Sequence, residues 1–328
     1  MNVFCLFLLF FFTVSCSSPK EPPLYRFSQT SMGMDCHILI PEPLSSLQKT
    51  AIQALIDKTF AEIDAIYNNW NPASEISHLN RLPGQEQFTL SPHLHTFLKR
   101  VDQLVHLSEG RFDPTIEPIR KLWKMQLDRG LEPSLTELAA IAPAIGWEKL
   151  HFINNTIYKE DGRTQLDLGG IAKGLCVDLL IERLNVLGFS DVFVEWGGEI
   201  RATGQHPLKR PWRACVSKLG DQDPAHAIAW IDINNQALAT SGDYFQFWTI
   251  STASGEKTFT HIFDPKTLRP LEVKIGQVAS ATLLAPDCVT ADGLAKVLML
   301  FDSPDKAKEW LNQIEPIQPG LSSWIITR

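Results

Sequence analysis

Apolar residues recur at three- and four-residue intervals in several stretches of the chain, which is typical of amphipathic helices. A long helix is predicted from Ser46, and its buried stripe consists of Ile52, Ile56, Phe60, Ile63 and Tyr67. A second is predicted from Ser91-Pro92, an N-cap followed by proline at the first helical position, to Gly110. Its inward residues are Leu94, Leu98, Val101 and Val105. A capping box over Ser134–Glu137 begins a short helix, and two more helices are predicted from Thr290 and from Ser303-Pro304.

Short segments, several of which alternate apolar and polar residues, predict strands between these helices. The predicted strands lie near Cys36–Ile40, Leu150–Ile153, Thr156–Lys159, Val192–Glu195, Trp212–Cys215, Ala227–Ile233, Phe245–Ile250, Val278–Leu284 and Trp324–Thr327. Asn154-Asn155 joins two of them as a hairpin turn. Helices and hairpins alternate without a regular βαβ rhythm, so the predicted fold class is α+β, with mostly antiparallel sheets and packed helices. We expect one compact unit with two sub-lobes.

The stretch from Leu166 to Asp178, LDLGGIAKGLCVD, predicts a strand, a tight Gly-Gly turn and a helix. The predicted inward face of that helix is Ile171, Leu175, Leu179, Leu184 and Leu187, and Gly188 stands where a C′ glycine belongs. A helix start presents free N–H groups and the positive end of the dipole, which is a binding site for anions. Lys173 lies in the first turn, and Asp167 precedes it. The alternative is a plain strand-to-helix connection with a solvated lysine.

The first residues of the chain predict a signal peptide, which is either cleaved off or followed by a lipid-anchored cysteine. Val3 to Val14 is nearly all apolar and has the length of a signal-peptide core. Small residues then precede Cys16, as in a bacterial lipoprotein cleavage site, although the segment lacks Lys and Arg and has Thr13 where Leu or Val is usual. We expect lipidation of Cys16, with a simple secretory signal as the alternative. The predicted division is a signal peptide over 1–15, a tether over 16–24 and one domain over 25–328.

Composition narrows the class of protein. The 328-residue chain carries a net charge of −7, which argues against a nucleic-acid-binding protein. Its 44% hydrophobic and 20% charged residues are ordinary for a globular domain. The four cysteines after the N-terminal segment show no metal-binding spacing, and their apolar neighbours predict buried free thiols.

Several short polar strings stand at the ends of the predicted elements, where functional sites are commonly built. They are SMGM around Met32, NPASEISHLN from Asn71, GRFDPT from Gly110, LDLGGIAKG from Leu166, EWGGEIRATG from Glu195, ATSGDY from Ala239, HIFDPKT from His261 and ADGLAK from Ala291. Singly each is weak. Together and in this order they resemble the FAD:protein FMN transferase family, known as ApbE, from about Met32 to Leu300.

The resemblance implies a T-fold-like ApbE domain and a flavin-transfer reaction. Members of this family cleave the pyrophosphate of FAD and attach FMN to a threonine hydroxyl of an acceptor protein, which releases AMP. The implied cofactor is Mg²⁺. The implied acceptor is a subunit of a sodium-pumping NADH:quinone reductase or a related complex. The implied location is the periplasmic side of the cell inner membrane, reached through the lipid anchor.

The resemblance also assigns roles to residues of this chain. The residues implied to contact FAD are Met32, Trp70, Arg111, Phe112, Asp113, Asp167, Lys173 and His261. The flavin would lie at Met32, and an aromatic ring would stack on Trp70. Phe112 and Asp113 would hold the adenosine part or order their loop, and Lys173 would lie near the pyrophosphate.

The implied metal ligands are the backbone carbonyl of Gly170 and the carboxylate of Asp292, a hard oxygen donor of the kind Mg²⁺ prefers. A threonine hydroxyl is a poor nucleophile until its proton is accepted, so a base is needed. His261 is the first candidate, as base or as a contact to the flavin phosphate, and Asp243 and Asp264 are weaker candidates.

The chain departs from the family pattern at the metal site. Lys296 stands where the family has a threonine ligand, four residues after Asp292 and therefore on the same helix face. An ammonium cannot coordinate a metal, but it can pair with Asp292 or take the cation's place beside the pyrophosphate. We expect weaker or altered metal dependence. Arg111, which replaces a small residue, can supply an extra phosphate or adenine contact; Met34 and Leu268 are further departures.

Three functions are consistent with this sequence. The first is an active flavin transferase, favoured by the presence of Asp167, Lys173, His261 and Asp292. The second is a lipid-anchored FAD-binding protein without transfer activity, which the Lys296 substitution favours. The third is an FAD pyrophosphatase that releases FMN and AMP from the same site.

Overall fold

A seven-stranded sheet and the helices on one of its faces form the centre of the fold in the computed structural model, which describes residues 23–221, 223–244, 246–252 and 255–328. The helices are α1 (Ser46–Ile66), α2 (Glu75–Arg81), α3 (Pro92–Leu107), α4 (Glu117–Leu127), α5 (Leu135–Ile141), α6 (Ala172–Val186), α7 (Cys288–Met299) and α8 (Pro304–Ile314). The strands are β1 (Tyr25–Ser31), β2 (Met34–Ile40), β3 (Phe88–Thr89), β4 (Leu150–Ile153), β5 (Thr156–Lys159), β6 (Val192–Trp196), β7 (Glu199–Thr203), β8 (Trp212–Val216), β9 (Ala229–Ile233), β10 (Gln236–Gly242), β11 (Phe247–Thr252), β12 (Gly255–Asp264), β13 (Arg269–Glu272), β14 (Val278–Ala285) and β15 (Ser322–Thr327). Cys16 and the predicted signal peptide lie outside the described residues.

The large sheet is antiparallel throughout, in the order β1-β2-β6-β7-β10-β14-β15. All eight residues of β14 are buried, because α7 packs against one face of the sheet and apolar residues of the β8–β9 ribbon cover the other. A strand buried on both faces reads as a continuous apolar run, which explains why VASATLLA shows little alternation. Two small antiparallel sheets, β11-β12-β13 and β3-β5-β4, flank this centre.

Buried apolar side chains form one large core and two smaller clusters in the described residues. The large core joins α1, α3, α6, α7 and the inner face of the main sheet. The second cluster consists of Ile119, Trp123, Leu127, Leu138, Ile145, Ile250, Phe259 and Phe263, between α4, α5 and the β11-β12-β13 sheet. This arrangement confirms the predicted α+β class and the mostly antiparallel sheets. Of the three clusters, the second corresponds best to the predicted second sub-lobe.

Helices α6 and α7 cap each other at their N-termini. The carboxylate of Asp178, on α6, accepts hydrogen bonds from the amides of Cys288 and Val289 at 2.9 Å each. In the opposite direction, Oδ2 of Asp292, on α7, accepts a hydrogen bond from the amide of Gly174 at 3.1 Å. The first N–H groups of a helix have no partner within it, so each carboxylate satisfies donors that burial would otherwise leave unpaired. The contact fixes the two helix starts side by side.

Burial raises the pKa of Asp178 to about 6, although the guanidinium of Arg201 and the two amides act in the opposite direction. Arg201, on β7, lies 2.7 Å from this carboxylate and ties the helix pair to the sheet. Gly174 is required where the helices touch, because a Cβ there would collide with the carbonyl oxygen of Cys288. The close approach of the backbones therefore depends on a residue without a side chain.

Most local predictions are confirmed. The five predicted residues of the α1 stripe are buried, α3 begins with Pro92 after the Ser91 cap, and Ser134 and Glu137 form the capping box. The hairpin pairs Ile153 with Thr156 around the predicted turn. Gly188, at φ +99°, ends α6, with Phe189 N–H donating to the Leu184 carbonyl as in a Schellman motif. The four cysteines of the described ranges are free thiols: Cys36, Cys176 and Cys288 are buried and Cys215 is half-buried.

The strand predicted at Leu166–Asp167 is wrong. The amide and carbonyl of Leu166 bond to the side chain of Asn80, at 2.7 and 2.8 Å, and the Asp167 amide donates to the Pro114 carbonyl. These backbone groups are thus satisfied by a side chain of α2 and by a loop carbonyl, apart from a single bridge between Ile116 and Gln165. Sheet pairing is not needed when other partners satisfy the backbone.

Two further predictions are corrected. The inward face of α6 is Cys176, Val177, Leu180, Ile181 and Leu184, because α1, α7 and the sheet surround the helix on several sides. Leu175 and Leu179 are only half-buried, and Leu187 is 46% exposed. Helix α7 begins at Cys288 rather than at Thr290, and its cap is Asp287, whose side chain accepts from the Thr290 amide.

No helix within the described ranges is both long enough and apolar enough to cross a membrane.

The contact at Gly174 leads to a prediction for stability. Gly174→Ala should lower the free energy of unfolding by about 1–3 kcal/mol, because the added methyl forces the two helix starts apart. Urea denaturation followed by circular dichroism measures the change. Gly293→Ala is the matched control, since a Cβ there meets only side-chain carbons, the nearest being Leu104 Cδ1 at 3.2 Å. Equal effects of the two substitutions would contradict the importance of the close contact.

Candidate active site

The start of α6 presents backbone amides to a cluster of charged side chains. Asp167 Oδ1 accepts from the Gly169 amide at 2.8 Å, which shapes the turn before the helix. The amides of Gly170 and Lys173 form no hydrogen bond with any described residue. Unpaired amides at a helix start, together with the helix dipole, attract anions. The predicted anion-binding turn is therefore formed, although no strand leads into it.

Lys173 pairs with Glu199, the first residue of β7. Glu199 is 1% exposed, and its Oε2 has no hydrogen-bond partner in the described structure. Burial raises the pKa of Glu199, while the Lys173 ammonium acts in the opposite direction. Burial alone lowers the pKa of Lys173, but the charges of Glu199 and Asp292 outweigh it and leave that pKa raised. Lys173 is therefore an ammonium held in place by a buried carboxylate.

A second ion pair lies beside the first. Lys296 Nζ pairs with Oδ1 of Asp292, one helical turn earlier on α7. Asp292 is 1% exposed, whereas a quarter of the Lys296 side chain is exposed. The methylene groups of Lys296 lie along Gly170, and its Cε is 3.2 Å from the position that a Cβ of residue 170 would take. The helix pair thus places two ammonium groups next to the Gly-Gly turn.

His261 faces the same cluster from β12 of the small sheet. Its Nδ1 lies 3.2 Å from the backbone carbonyl of Gln246, so Nδ1 is the donor and Nε2 carries the lone pair when the ring is neutral. Burial lowers the pKa of His261, the bond to Gln246 opposes this, and the charges of Lys296 and Lys173 lower it further. The geometry and charges hold a neutral imidazole, which can accept a proton.

Arg120, on α4, joins the turn to Trp70. Its guanidinium bonds both oxygens of Glu117 at 2.7 and 2.9 Å and lies 3.1 Å from Oδ2 of Asp167. It also stacks 5.0 Å from the ring centre of Trp70, which is 72% exposed. An exposed tryptophan fixed by a cation is available to stack on a planar ligand. Asp167 and Trp70, both predicted site residues, are therefore linked through one arginine.

Three predicted FAD contacts follow α3. Asp113 is half-buried; its Oδ1 accepts from the amide and hydroxyl of Thr115 and its Oδ2 from the amide of Trp147, so it orders its loop. Phe112 is 7% exposed and packs towards Gly293 on α7. Arg111 pairs with Glu109 and stacks on Phe301. None of the three forms a hydrogen bond or an ion pair with Lys173, Glu199, Asp292 or Lys296 in the described structure.

The remaining predicted residues lie at other turns. Met32, with φ +50° and 39% exposed, forms the β1–β2 turn. Asp243 is bound by the Arg328 guanidinium through two hydrogen bonds of 2.8 and 3.0 Å. Asp264 accepts from the amide of Lys266 and the hydroxyl of Thr267 and so orders the turn after β12. Of the three predicted bases, His261 is the one placed at the charged cluster.

Sequence reasoning missed Glu199 and Arg120. Glu199 is part of the string EWGGEIRATG, but a carboxylate after two glycines gives no sign of a lysine partner 26 residues earlier. Arg120 lies three residues after Glu117 on a helix, which is the usual signal of a surface ion pair. Only the folded arrangement shows that both residues hold predicted site groups.

The side chains present do not form a magnesium site. Both oxygens of Asp292 are occupied, Oδ1 by Lys296 and Oδ2 by the Gly174 amide. No group of three or more His, Cys, Asp or Glu residues suited to a metal ion occurs in the described ranges. Mg²⁺ is commonly held by one or two carboxylates, with waters and substrate phosphates as its other ligands. Here the carboxylate in that position, Asp292, is paired with the Lys296 ammonium, which cannot be a ligand. The chemistry available is charge neutralisation by Lys173 and Lys296 and proton acceptance by His261.

The protein therefore has an α+β fold, with two lysine–carboxylate pairs and His261 grouped at the start of α6. The chain matches the ApbE family over residues 32–319, and it belongs to that family. An FAD:protein FMN transferase of Chlamydia pneumoniae is 38% identical over 313 residues, 94% of this chain and 95% of that protein. One of Vibrio cholerae is 34% identical over 290 residues, 87% and 83% of the two chains.

Solved structures support the same fold. The flavin transferase ApbE from Vibrio cholerae aligns with a TM-score of 0.77 at 29% identity, over 93% of this chain and 94% of the other. The apo form of the Pseudomonas stutzeri flavinyl transferase ApbE aligns with a TM-score of 0.79 at 25% identity, over 93% and 92%.

The buried ion pair of Lys173 leads to a second prediction. Lys173→Met should destabilise the fold by about 3–5 kcal/mol at neutral pH, because Glu199 remains as a buried charge without a partner. The raised pKa of Glu199 then works against folding as pH rises above its ordinary value of 4.5, so the loss is smaller at about pH 5 than at about pH 8. Urea denaturation at both pH values measures it.

The double variant Lys173→Met, Glu199→Gln is the control. It removes the unpaired charge while keeping the side-chain shape, so much of the lost stability should return. Failure of the second substitution to restore stability at the higher pH would contradict the buried charge as the cause.

Proposed function

We propose that this chain is an FAD:protein FMN transferase. One observation carries the proposal: two ammonium groups and a neutral histidine converge on the start of α6, where two backbone amides are unpaired, in a chain of the ApbE family. Phosphoryl transfer requires little covalent chemistry from the protein; it requires positioning and charge neutralisation. The names of the Chlamydia and Vibrio relatives supply the substrate class, since both are FAD:protein FMN transferases.

The proposed reaction joins FMN to a threonine hydroxyl of the acceptor. The acceptor oxygen attacks the phosphorus on the flavin side of the FAD pyrophosphate, and a new P–O ester bond forms. The bond from that phosphorus to the bridging oxygen breaks, and AMP leaves with the bridging oxygen. The proton of the hydroxyl passes to Nε2 of His261, which is the lone-pair nitrogen because Nδ1 donates to Gln246.

The pyrophosphate is proposed to lie at the α6 start. The amides of Gly170 and Lys173 donate hydrogen bonds to its oxygens, and the Lys173 ammonium neutralises part of its charge. Buried Glu199 keeps that ammonium in position. A planar ring of FAD stacks on Trp70, which Arg120 supports from one side. Each oxygen of Asp292 already accepts a hydrogen bond, so the magnesium implied by the family resemblance would have to compete with Lys296 for this carboxylate.

The proposed setting of the reaction comes from the sequence. We infer that Cys16 is lipidated and holds the enzyme on the periplasmic side of the cell inner membrane. The acceptor is a protein such as a subunit of a sodium-pumping NADH:quinone reductase. The alternatives are a binder that keeps FAD intact and a pyrophosphatase that uses water in place of the acceptor.

One experiment distinguishes the three functions. The full-length chain is incubated with FAD, Mg²⁺ and an acceptor domain, with acceptor in which the threonine is replaced by alanine as the control. Flavin fluorescence on the unmodified acceptor in a denaturing gel, together with released AMP, is the expected result. Free FMN with unlabelled acceptor would indicate hydrolysis, and intact bound FAD would indicate a binder; either outcome would contradict transfer.

A third prediction concerns His261. Its pKa lies below the ordinary 6.5, so the base stays neutral at pH 7 and is lost only as pH falls through the lowered value. The acid limb of kcat/KM should therefore have an apparent pKa below 6.5. His261→Asn should reduce the transfer rate by about 10²–10⁴-fold and remove that limb.

Transfer rates measured across the pH range test this role. His93→Asn is the control, because His93 is an exposed histidine on α3, 3.6 Å from Glu62 and outside the cluster. An unchanged acid limb in the His261 variant would assign the base to another group.

A further inference from the structure

Lys296 forms the accessible end of a buried ion pair. Its ammonium bonds the Asp292 carboxylate and lies 3.3 Å from the backbone carbonyl of the same residue. Asp292 is 1% exposed, so the pair can meet a ligand only through the lysine, whose side chain is 25% exposed. The lysine methylenes lie against Gly170, beside the turn whose amides are unpaired. The ammonium is thus fixed beside the proposed pyrophosphate position.

The side chains of the two ion pairs balance one another without a further cation. Lys173 and Lys296 contribute two positive charges, and Glu199 and Asp292 contribute two negative charges, so the four sum to zero. A divalent ion would have to displace Lys296 from Asp292 or lie next to two ammonium groups. Both arrangements are unfavourable in a buried site, where charge interactions are weakly screened.

We propose that the Lys296 ammonium is the built-in cation of this site and that flavin transfer by this chain requires no divalent metal ion. The inference rests on the proposed function, since the anion to be neutralised is the FAD pyrophosphate. Lysine is a compact point charge and a common phosphate ligand, so it can meet the charge that develops on the departing bridging oxygen. The bonds made and broken are those of the proposed reaction, and Lys296 neither gains nor loses a proton.

Replacing the lysine should create a metal requirement. In Lys296→Thr the charges of the remaining three groups sum to −1, and Oδ1 of Asp292 is released beside a new hydroxyl oxygen. Both changes favour Mg²⁺, which prefers hard oxygen donors. Lys296→Met releases the same carboxylate oxygen but adds no ligand, and so separates the loss of the cation from the gain of a metal site.

The experiment compares the full-length chain with these variants in two measurements. The first is isothermal titration calorimetry of MgCl₂ into the FAD-bound protein. The second is FMN transfer to the acceptor domain in excess EDTA or in excess Mg²⁺. Lys306→Thr is the matched control. Lys306, on α8, forms an exposed ion pair with Asp302, four residues earlier and 2.8 Å away, and it lies outside the site.

The unmodified chain and Lys306→Thr should show no saturable Mg²⁺ binding, and their transfer rates in EDTA and Mg²⁺ should agree within about twofold. Lys296→Thr should bind Mg²⁺ saturably, lose about 10²-fold in rate in EDTA, and recover when Mg²⁺ is added. Lys296→Met should lose a similar factor and recover less.

Saturable Mg²⁺ binding by the unmodified chain, with transfer only in Mg²⁺, would overturn this inference and leave the proposed function intact. Absence of transfer under both conditions would overturn the proposed function instead. Calorimetry would still decide the cation question in that case: binding by Lys296→Thr alone supports the built-in cation, and binding by the unmodified chain refutes it. If a variant does not fold, Mg²⁺ binding by the unmodified chain and its transfer rates in EDTA and in Mg²⁺ still test the inference.

Discussion

The fold of this chain depends on two helix starts that cap each other. Asp178 of α6 accepts hydrogen bonds from the first amides of α7, and Asp292 of α7 accepts one from the third residue of α6, Gly174. Buried helix ends must find partners outside the helix, and here each helix supplies the partner of the other. The arrangement is possible only because Gly174 lets the two backbones approach closely. It places a close backbone contact next to the two ion pairs of Lys173 and Lys296.

The charged cluster follows from this contact. Because the two starts lie side by side, Lys173 in the first turn of α6 and Lys296 in the third turn of α7 meet at the Gly-Gly turn. Each ammonium is held by a carboxylate that is almost fully buried. Paired buried charges are costly to assemble but rigid once assembled, because either partner alone would be a buried unpaired charge. Rigid placement of charge is what phosphoryl transfer needs from a protein.

The sequence predicts the local helices, strands and turns of this structure better than it predicts the tertiary contacts between them. The α1 stripe and the hairpin at Asn154 depend on periodicity and turn chemistry within a few residues, and both are confirmed. The strand before Gly169 is wrong because the side chain of Asn80, far away in the chain, satisfies that backbone. The inward face of α6 is missed for the same kind of reason, since packing on several sides leaves no single stripe. Glu199 has no local signal because its partner is set by tertiary structure.

Lys296 shows that the structural and chemical tasks of one carboxylate are separable. Asp292 uses Oδ2 to cap α6 and Oδ1 to bind a cation, and the first task does not depend on which cation meets the second. An ammonium tethered four residues along the same helix satisfies Oδ1 without any loss of mobile-ion entropy, and it stays at full occupancy whatever the metal concentration. A substitution at position 296 can therefore change the cation chemistry of the site while the reciprocal caps maintain the fold. The same reasoning explains how a chain that keeps most of the family motifs can differ at position 296 and keep its architecture.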